Sequence, residues 1–377
     1  MRIAAFNVEN LFDRAKAFNA PMAQAQALLD AVAELNALFA LERYTPPART
    51  RILELLVELG LLRADEGAFV RLRRLRGALL RRPRSSPAEV VAEGRGSWVG
   101  WVEHKTEHVN EVAILNTGRV IRDVGADILA VIEAESRITL GRFANHVLRE
   151  VAGEVEDPPP PYAHVMLIDG NDDRGIDVGL MTKPGFPIGP MRSHVDDFAG
   201  GERIFSRDCP EYAVATPGGA TVWVLPNHFK SKFGGDTGTS RRKRRVQAGR
   251  VAELYAALRE RGEAHVVVLG DLNDGPAATA LAPLLGGTDL RDIGTHPRFD
   301  PGEFPGRGTF GLGNDGDKLD YVLLSPALFE RVTAGGLFRK GAWPGTQPRR
   351  WSVYPQLREQ VHAASDHHLI WADIDLD

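Results

Sequence analysis

The chain has 377 residues, of which 43% are hydrophobic and 25% charged, as expected of a soluble globular protein with one large domain or two smaller ones. Its formal net charge of −4 does not indicate nucleic acid or an anionic membrane as a partner, although bound metal ions can supply the positive field that phosphate chemistry needs. The single cysteine, Cys209, excludes an intramolecular disulfide bond and a thiolate zinc site. No apolar run approaches the ~20 residues that span a bilayer, and the first residues leave no room for a signal peptide, so the sequence predicts a cytoplasmic protein.

The first predicted element is a buried strand over residues 2–6, and Asn7 follows where that strand ends. Asn7 either caps a turn or stands at the carboxyl end of a strand, which is where α/β proteins bind ligands. From about residue 14 to residue 100 the sequence changes character and predicts a helical, Arg-rich insertion. Apolar residues at helical spacing predict one helix over residues 22–41 and a second over residues 51–62.

A basic stretch, residues 71–84, lies in the second half of this insertion. The simpler interpretation, which we favour, is that its arginines form a solvated face. The functional interpretation is a basic arm that contacts phosphates.

After the insertion, residues 103–122 predict an amphipathic helix, and residues 128–132 predict a second buried strand. Glu133 stands directly at the end of that strand. A helix between two buried strands is typical of a βαβ-like arrangement, so the sequence predicts an α/β protein.

The middle of the chain predicts strand pairs joined by short turns. Residues 162–168 and 177–181 form one pair, joined by a polar loop that contains Arg174, and residues 212–215 and 221–225 form another. Short turns imply antiparallel pairing, so we expect a mixed sheet.

Residues 227–232 follow the last of these strands and bring His228, Lys230 and Lys232 to a strand end. A helix that runs to residue 258 then begins with the five basic residues 241–245. Cations in the first turn oppose the helix dipole, so this cluster indicates either a phosphate ligand or a solvated charge cluster.

Residues 266–269 predict a short, fully buried strand, and Gly270 ends it. Asp271 and Asn273 follow, one an acceptor-only carboxylate and the other an amide that both donates and accepts. Taken alone, this stretch fits a capped turn and an active-site loop equally well.

Two further landmarks complete the pattern. Asp320 stands at the start of a buried strand, and the pair Asp366 and His367 stands at the edge of a terminal strand. Any one of these polar residues could be a turn residue or a buried polar group with its hydrogen bonds satisfied. Their repeated occurrence at strand boundaries indicates an active site.

The ordered set of motifs resembles the endonuclease/exonuclease/phosphatase superfamily, the deoxyribonuclease-like fold. Among its branches, residues 174–178 and 227–232 look most like bacterial nuclease-type members. The resemblance covers the chain from end to end except for roughly residues 14–100. The six matching segments are residues 6–10 (FNVEN), 127–133 (DILAVIE), 227–232 (NHFKSK), 270–273 (GDLN), 319–323 (LDYVL) and 365–367 (SDH).

This resemblance implies one catalytic domain over residues 1–377, a four-layer α/β/β/α sandwich of two mixed β-sheets with the insertion inside it. It also implies a divalent metal, Mg²⁺ or Mn²⁺, held by Glu133 with help from Asn7 and Asp366, because hard oxygen ligands select these ions over zinc. Where many relatives have Gln before the metal-binding Glu, this chain has Ile132, which removes one polar neighbour of Glu133.

The same resemblance implies the catalytic roles. His367 would contact the scissile phosphate or accept the proton of water, and Asp320 would hold its imidazole in one tautomer. Asp271 would orient or deprotonate the nucleophile, while Asn273 and His228 would donate to phosphate oxygens. The choice between Asp271 and His367 as base stays open. The remaining predicted contacts to substrate phosphate are Arg174, Lys230 and Lys232.

These observations lead to three hypotheses about the function of the protein. The leading hypothesis is a metal-dependent nuclease that cleaves DNA, and the second is a phosphatase or phosphodiesterase acting on a small-molecule, sugar or lipid phosphate. The third is a binding module that kept the fold and lost the chemistry, against which the intact ligand set argues.

Overall fold

The computed structural model describes residues 1–19, 22–232, 235–346 and 349–376; residues 20 and 21 of the predicted insertion lie outside this set. None of the described helices is long and apolar enough to cross a membrane. The α-helices are α1 (Met22–Phe39), α2 (Pro46–Glu58), α3 (Glu111–Val124), α4 (Arg137–Arg142), α5 (Leu148–Ala152), α6 (Gly238–Glu260), α7 (Ala282–Leu285) and α8 (Pro326–Phe329). The strands are β1 (Arg2–Asn7), β2 (Asp13–Ala15), β3 (Val70–Arg76), β4 (Leu80–Arg81), β5 (Glu89–Val90), β6 (Val99–His104), β7 (Thr106–His108), β8 (Ile128–Ala134), β9 (His164–Leu167), β10 (Asp177–Thr182), β11 (Ile188–Arg192), β12 (Phe198–Ala199), β13 (Glu202–Arg203), β14 (Glu211–Ala215), β15 (Thr221–His228), β16 (Val266–Asp271), β17 (Arg291–Asp292), β18 (Phe299–Asp300), β19 (Asp320–Leu324), β20 (Val332–Phe338) and β21 (Leu369–Ile374).

The described chain divides into two compact units. The main unit comprises residues 1–12, 109–232 and 236–376, and the inserted unit comprises residues 13–19, 22–108 and 235.

Two mixed sheets form the centre of the main unit. One has seven strands in the order β18-β20-β21-β1-β8-β10-β9, and the other has six in the order β11-β14-β15-β16-β19-β17. Parallel pairs, β1 with β8 and β15 with β16, stand beside antiparallel ones such as β16 with β19. Antiparallel neighbours follow from the short turns of the sequence, whereas the parallel pairs need a crossover through a helix.

The apolar residues of β8 alternate between two cores, because successive side chains of a strand point to opposite faces. Ile128 and Ile132 pack in the core that both sheets share, where Val224 and Leu269 come from the other sheet. Leu129 packs on the opposite face with side chains of the helical segments.

Helices cover the outer face of each sheet. α3 packs Val120 and Val124 on the seven-stranded sheet, and α6 packs Val251 and Leu254 on the six-stranded sheet. The predicted four-layer sandwich of two mixed sheets is therefore confirmed.

The inserted unit has its own hydrophobic core, which is built from α1, α2 and the strands that follow them. The two predicted helices are present, but the second begins earlier than predicted, at Pro46. Thr45 caps it by accepting a hydrogen bond from the backbone of Ala48 at 3.4 Å, and proline in the first turn starts a helix because its missing N–H has no partner to lose there.

The second half of the insertion corrects the sequence prediction of a helical segment. Residues 70–108 form five of the short strands, and β3 pairs with β6 across a bulge between Arg74 and Arg76. The helix predicted from residue 103 begins only at Glu111, since Asn110 caps it through a 2.9 Å hydrogen bond from the backbone of Val112. Strand pairing between distant segments thus overrides the local helical spacing.

Candidate active site

Predicted site residues meet at one edge of the sandwich because of strand register. His228 lies opposite Asp271 across β15 and β16, and Asp271 lies opposite Asp320 across β16 and β19. In the other sheet, Asn7 pairs with the residue that precedes Glu133. The ends of five strands therefore deliver five polar side chains to the same place.

Asp271 is the centre of this arrangement and is only 1% exposed. Its Oδ2 atom accepts hydrogen bonds from Asn7 Nδ2 at 3.2 Å and Asn273 Nδ2 at 3.0 Å, while Oδ1 accepts from the Asn273 backbone at 2.8 Å. Two imidazole nitrogens also face Oδ2, His228 Nε2 at 3.6 Å and His367 Nε2 at 3.9 Å. Burial and the neighbouring Asp320 carboxylate raise the pKa of Asp271 to about 7.

His367 forms a buried pair with Asp320, in which the Nδ1 and Oδ2 atoms are 2.7 Å apart. Burial opposes a charged imidazole, but the carboxylates of Asp320 and Asp271 outweigh it and raise the pKa of His367 well above 6.5. With Nδ1 engaged by Asp320, Nε2 is left as a hydrogen-bond donor toward the site. Asp366 stands 3.8 Å from that nitrogen and is 45% exposed, so the site reaches solvent on this side.

His228 has the opposite electrostatic character. Its Nε2 atom lies 3.4 Å from Glu133 Oε1 and 3.6 Å from Asp271 Oδ2, and its buried Nδ1 has no hydrogen-bond partner in the described part of the chain. Burial, followed by the positive charges of Arg207 and Arg174, lowers the pKa of His228 well below 6.5. The site therefore combines a neutral imidazole with a charged one.

The backbone is unusual at three positions of the site. Glu133 and Asn273 have φ values of 69° and 54°, in the left-handed region that side chains other than glycine seldom adopt. Gly270 has φ 121°, and a Cβ atom there would lie 2.2 Å from the carbonyl oxygen of Asn227. Only glycine lets β16 approach β15 so closely just before Asp271.

Comparison with known families bears directly on these side chains. The sequence profile of the "Endonuclease/Exonuclease/phosphatase family" matches residues 110–367. This chain belongs to that family. Its members are phosphoester hydrolases, typically dependent on a divalent metal ion, and the match spans Glu133, His228, Asp271, Asp320 and His367.

Solved structures of the family resemble this chain at low sequence identity. An endonuclease/exonuclease/phosphatase from Bacteroides vulgatus is 18% identical with a TM-score of 0.48, covering 70% of this chain and 91% of its own. A mannosyl-6-phosphatase from Bacteroides thetaiotaomicron is 14% identical (TM-score 0.47; 70% and 90% covered), and the human Nocturnin catalytic domain is 13% identical (TM-score 0.48; 71% and 88% covered). A search of curated proteins found no match.

Two groups of side chains are candidate ligands for the metal ion that the family typically needs. Ligand atoms of Asp271, Asp320 and His367 lie within 4.8 Å of one another, but the last two already bind each other. The carboxylates of Glu133 and Asp271 face one another across His228, with the Asn7 amide beside Asp271. Glu133 and Asp320 both raise the pKa of Asp271, a repulsion that a cation would offset, and oxygen donors suit Mg²⁺ or Mn²⁺. The donor set therefore fits a hard divalent cation.

One charged residue near the site is absent from the sequence prediction. Arg207 is 1% exposed, and its Nε atom lies 3.0 Å from Asp172 Oδ2, while Arg174 donates to the same carboxylate through two nitrogens at 2.8 Å. Arg207 Nη1 and Asn273 Nδ2 both donate to the carbonyl of Phe229, at 3.4 and 3.1 Å. A lone arginine in a loop carries no periodic signal, so the sequence offered no means of finding it. Arg174, predicted to contact substrate phosphate, is engaged by Asp172.

The other predicted phosphate contacts are also partly engaged within the protein. Lys232 Nζ lies 2.5 Å from Asp274 Oδ1, and Arg244 Nε donates to Asp274 Oδ2 at 3.0 Å. Arg244 is fully buried and pairs with Asp236 as well, so this member of the cluster 241–245 anchors its helix. Lys230 donates its backbone N–H to Gln247 at 2.9 Å. The cluster is thus not a free phosphate-binding surface as a whole.

Asp177 gives a pH-dependent stability that can be measured. Burial raises its pKa to about 7 although Gly170 donates to it at 2.8 Å, so the protonated form is favoured in the fold and stability falls as pH rises from about 4 to 7. Asp177→Asn keeps an acceptor for Gly170. At pH 8 we expect its free energy of unfolding to exceed that of wild type by up to roughly 4 kcal/mol. Denaturant titrations at pH 5 and pH 8 measure this, with the exposed Asp157→Asn as control. Equal pH dependence of Asp177→Asn and wild type would contradict it.

Proposed function

We propose that this protein is a divalent-metal-dependent nuclease that cleaves phosphodiester bonds of DNA by attack of a water molecule. The observation that carries the proposal is the convergence of Asn7, His228, Asn273 and His367 on one carboxylate oxygen of Asp271. Hydrolysis of a phosphodiester needs an acceptor for the proton of water and donors for the charge that develops on phosphate. Both kinds of group stand within 4 Å of one atom here.

Glu133, assisted by Asn7 and Asp366, is proposed to hold the metal ion. When bound there, such an ion would supply positive charge to offset the negative phosphate and to lower the pKa of a water molecule. Glu133 and Asp366 suit this role because both side chains reach solvent, with exposed fractions of 19% and 45%. The main contribution of Asn7 is then to keep Asp271 oriented.

His367 and Asp271 have different proposed tasks. His367, held by Asp320 with Nε2 as donor, suits binding a phosphate oxygen better than accepting a proton. Asp271 is an acceptor-only carboxylate held by three donor atoms, so we assign it the orientation or deprotonation of water. His228 is proposed to donate to a remaining oxygen. Asn273, predicted from the sequence to do the same, already gives its two amide hydrogens to Asp271 and Phe229, so its proposed task is to orient Asp271.

The choice of DNA rests on the resemblance of residues 174–178 and 227–232 to bacterial nuclease-type sequences. A small phosphoester is the second candidate substrate. The net charge of −4 and the internal pairing of Lys232 and Arg244 favour it, because a long polyanion needs free cations along its path.

A substrate panel distinguishes the candidates. We expect purified protein with Mg²⁺ or Mn²⁺ to nick plasmid DNA and to cleave bis(p-nitrophenyl) phosphate, and EDTA to stop both reactions because the metal is chelated. Single-stranded DNA, RNA and p-nitrophenyl phosphate complete the panel. Hydrolysis of a nitrophenyl ester without cleavage of any nucleic acid would move the assignment to the small phosphoester. Absence of all hydrolysis, with either ion present, would contradict the proposal.

A further inference from the structure

The inserted unit carries a surplus of positive charge that the chain as a whole lacks. Residues 13–108 contain 15 Lys and Arg against 12 Asp and Glu, whereas the full chain has 46 against 50. The surplus is concentrated between residues 71 and 84, where seven arginines occur without any acidic residue. These arginines lie on or just after β3, one strand of the two-stranded β3–β6 ribbon.

The two faces of this ribbon differ sharply. Val70, Leu72 and Val102 point into the core of the inserted unit and are buried. The other face carries Arg73 opposite Trp101, followed along the strand by Leu75. Leu75 is 75% exposed and Trp101 is 44% exposed.

An exposed tryptophan is itself unusual in this protein. Of the six tryptophans, all within the described residues, Trp101 alone is classed as exposed. Burying such a ring in the core would gain free energy, so an indole left on a strand surface indicates a surface that contacts a partner.

Part of the arginine charge is used inside the unit. Arg71 and Arg73 pair with Glu103, and Arg82 pairs with Asp65 at 2.7 Å. Arg81 pairs with Glu89.

Three arginines of the stretch remain available at the surface. Arg74, Arg76 and Arg84 are exposed and have no acidic partner among the residues that the structure describes; Arg76 donates only to the carbonyl of Gly96, at 3.0 Å. Arg76 pairs with Val99 across the bulge and so shares the face of Trp101, whereas Arg74 pairs with Gly100 and lies on the face of Leu72.

We propose that this face of the β3–β6 ribbon binds single-stranded nucleic acid, with Trp101 stacking on a base and Arg76 contacting a phosphate. A single strand offers flat apolar faces and regularly spaced negative charges together, which matches an aromatic ring beside a cation. A duplex hides its base faces, so the exposed indole would find no stacking partner there. This inference rests on the proposed nuclease function, since it names the form of substrate that the enzyme holds.

The test measures the binding of full-length protein to labelled oligo-dT by fluorescence anisotropy. The buffer contains EDTA, so that cleavage does not interfere. Trp101→Ala is expected to weaken binding about 5- to 100-fold, and Trp101→Phe to retain most of it, because stacking on one aromatic ring is worth that much. Arg76→Ser should reduce the slope of log K against log salt by about 0.7, the value of one phosphate contact, between about 50 and 200 mM salt.

A matched control removes the same charge elsewhere. Arg149→Ser changes one exposed arginine of the main unit, and its salt slope should stay close to that of wild type. Ribbon variants that bind oligo-dT like wild type would overturn the proposal. A wild-type preference for duplex DNA, or for vesicles of anionic phospholipid over oligo-dT, would do so as well.

Failure of this inference can be told apart from failure of the proposed function. If wild type hydrolyses bis(p-nitrophenyl) phosphate and plasmid DNA but does not bind oligo-dT, the ribbon proposal alone is wrong. If it binds oligo-dT through the ribbon but hydrolyses no phosphodiester, the ribbon proposal stands and the nuclease assignment is wrong.

Discussion

Replacing Glu133 with glutamine is expected to lower kcat by about 10³-fold or more. The proposed metal ion is worth several kcal/mol of transition-state stabilisation, and each 1.36 kcal/mol is a factor of ten in rate. The amide keeps the size of the side chain but loses the negative charge, which stands 3.4 Å from His228 and faces the Asp271 carboxylate. The measurement is steady-state hydrolysis of bis(p-nitrophenyl) phosphate over a Mg²⁺ titration.

The fold should tolerate this change. Glu133 adds to the electrostatic repulsion that raises the pKa of Asp271, so removing its charge lowers that repulsion. The thermal midpoint of Glu133→Gln should therefore not fall below that of wild type. Glu150→Gln makes the same chemical change on an exposed helix and controls for it. A kcat within tenfold of wild type, at saturating Mg²⁺, would contradict the placement of the metal on Glu133.

Much of the site could be predicted because its residues directly follow or precede buried apolar runs. The strand over residues 266–269 is uniformly apolar, and a strand so buried ends abruptly at the polar residues that follow it. Asp271 and Asp320 therefore stand out in the sequence before any contact is known. Their convergence follows from register, because parallel and antiparallel neighbours of one strand meet at its end.

The remaining features depend on contacts between segments far apart in sequence. Arg207 is located by Asp172, 35 positions earlier, and the burial of Arg244 depends on Asp274 and Asp236. The strands of the inserted unit form because β3 finds β6, although the arginine-rich sequence of β3 has little intrinsic strand preference. Positive φ values at Glu133 and Asn273 are likewise imposed by the surrounding fold.

The pairing of Asp320 with His367 leads to a second large effect, since the carboxylate raises the pKa of the imidazole and so keeps a proton on both ring nitrogens. Asp320→Asn is expected to lower kcat about 10²- to 10³-fold. The amide lacks the negative charge that keeps the imidazole protonated on both nitrogens. Its carbonyl oxygen can still accept from Nδ1 across the pair that is now 2.7 Å apart, which leaves Nε2 of the neutral ring as an acceptor instead of a donor. Phosphate would then lose a donor, and ¹⁵N chemical shifts of the imidazole would report the loss of the proton at Nε2.

The same reasoning predicts that the effects of Asp320 and His367 on kcat are not additive. If Asp320 acts only through His367, the double variant Asp320→Asn/His367→Gln should be no slower than His367→Gln alone, because groups that act as a unit are strongly non-additive. Asp292→Asn is the matched control, an aspartate of the neighbouring strand β17 that pairs with Lys318 at 3.1 Å, and it should leave kcat nearly unchanged. Losses that multiply in the double variant would show that Asp320 has a task of its own, such as binding the metal together with Asp271.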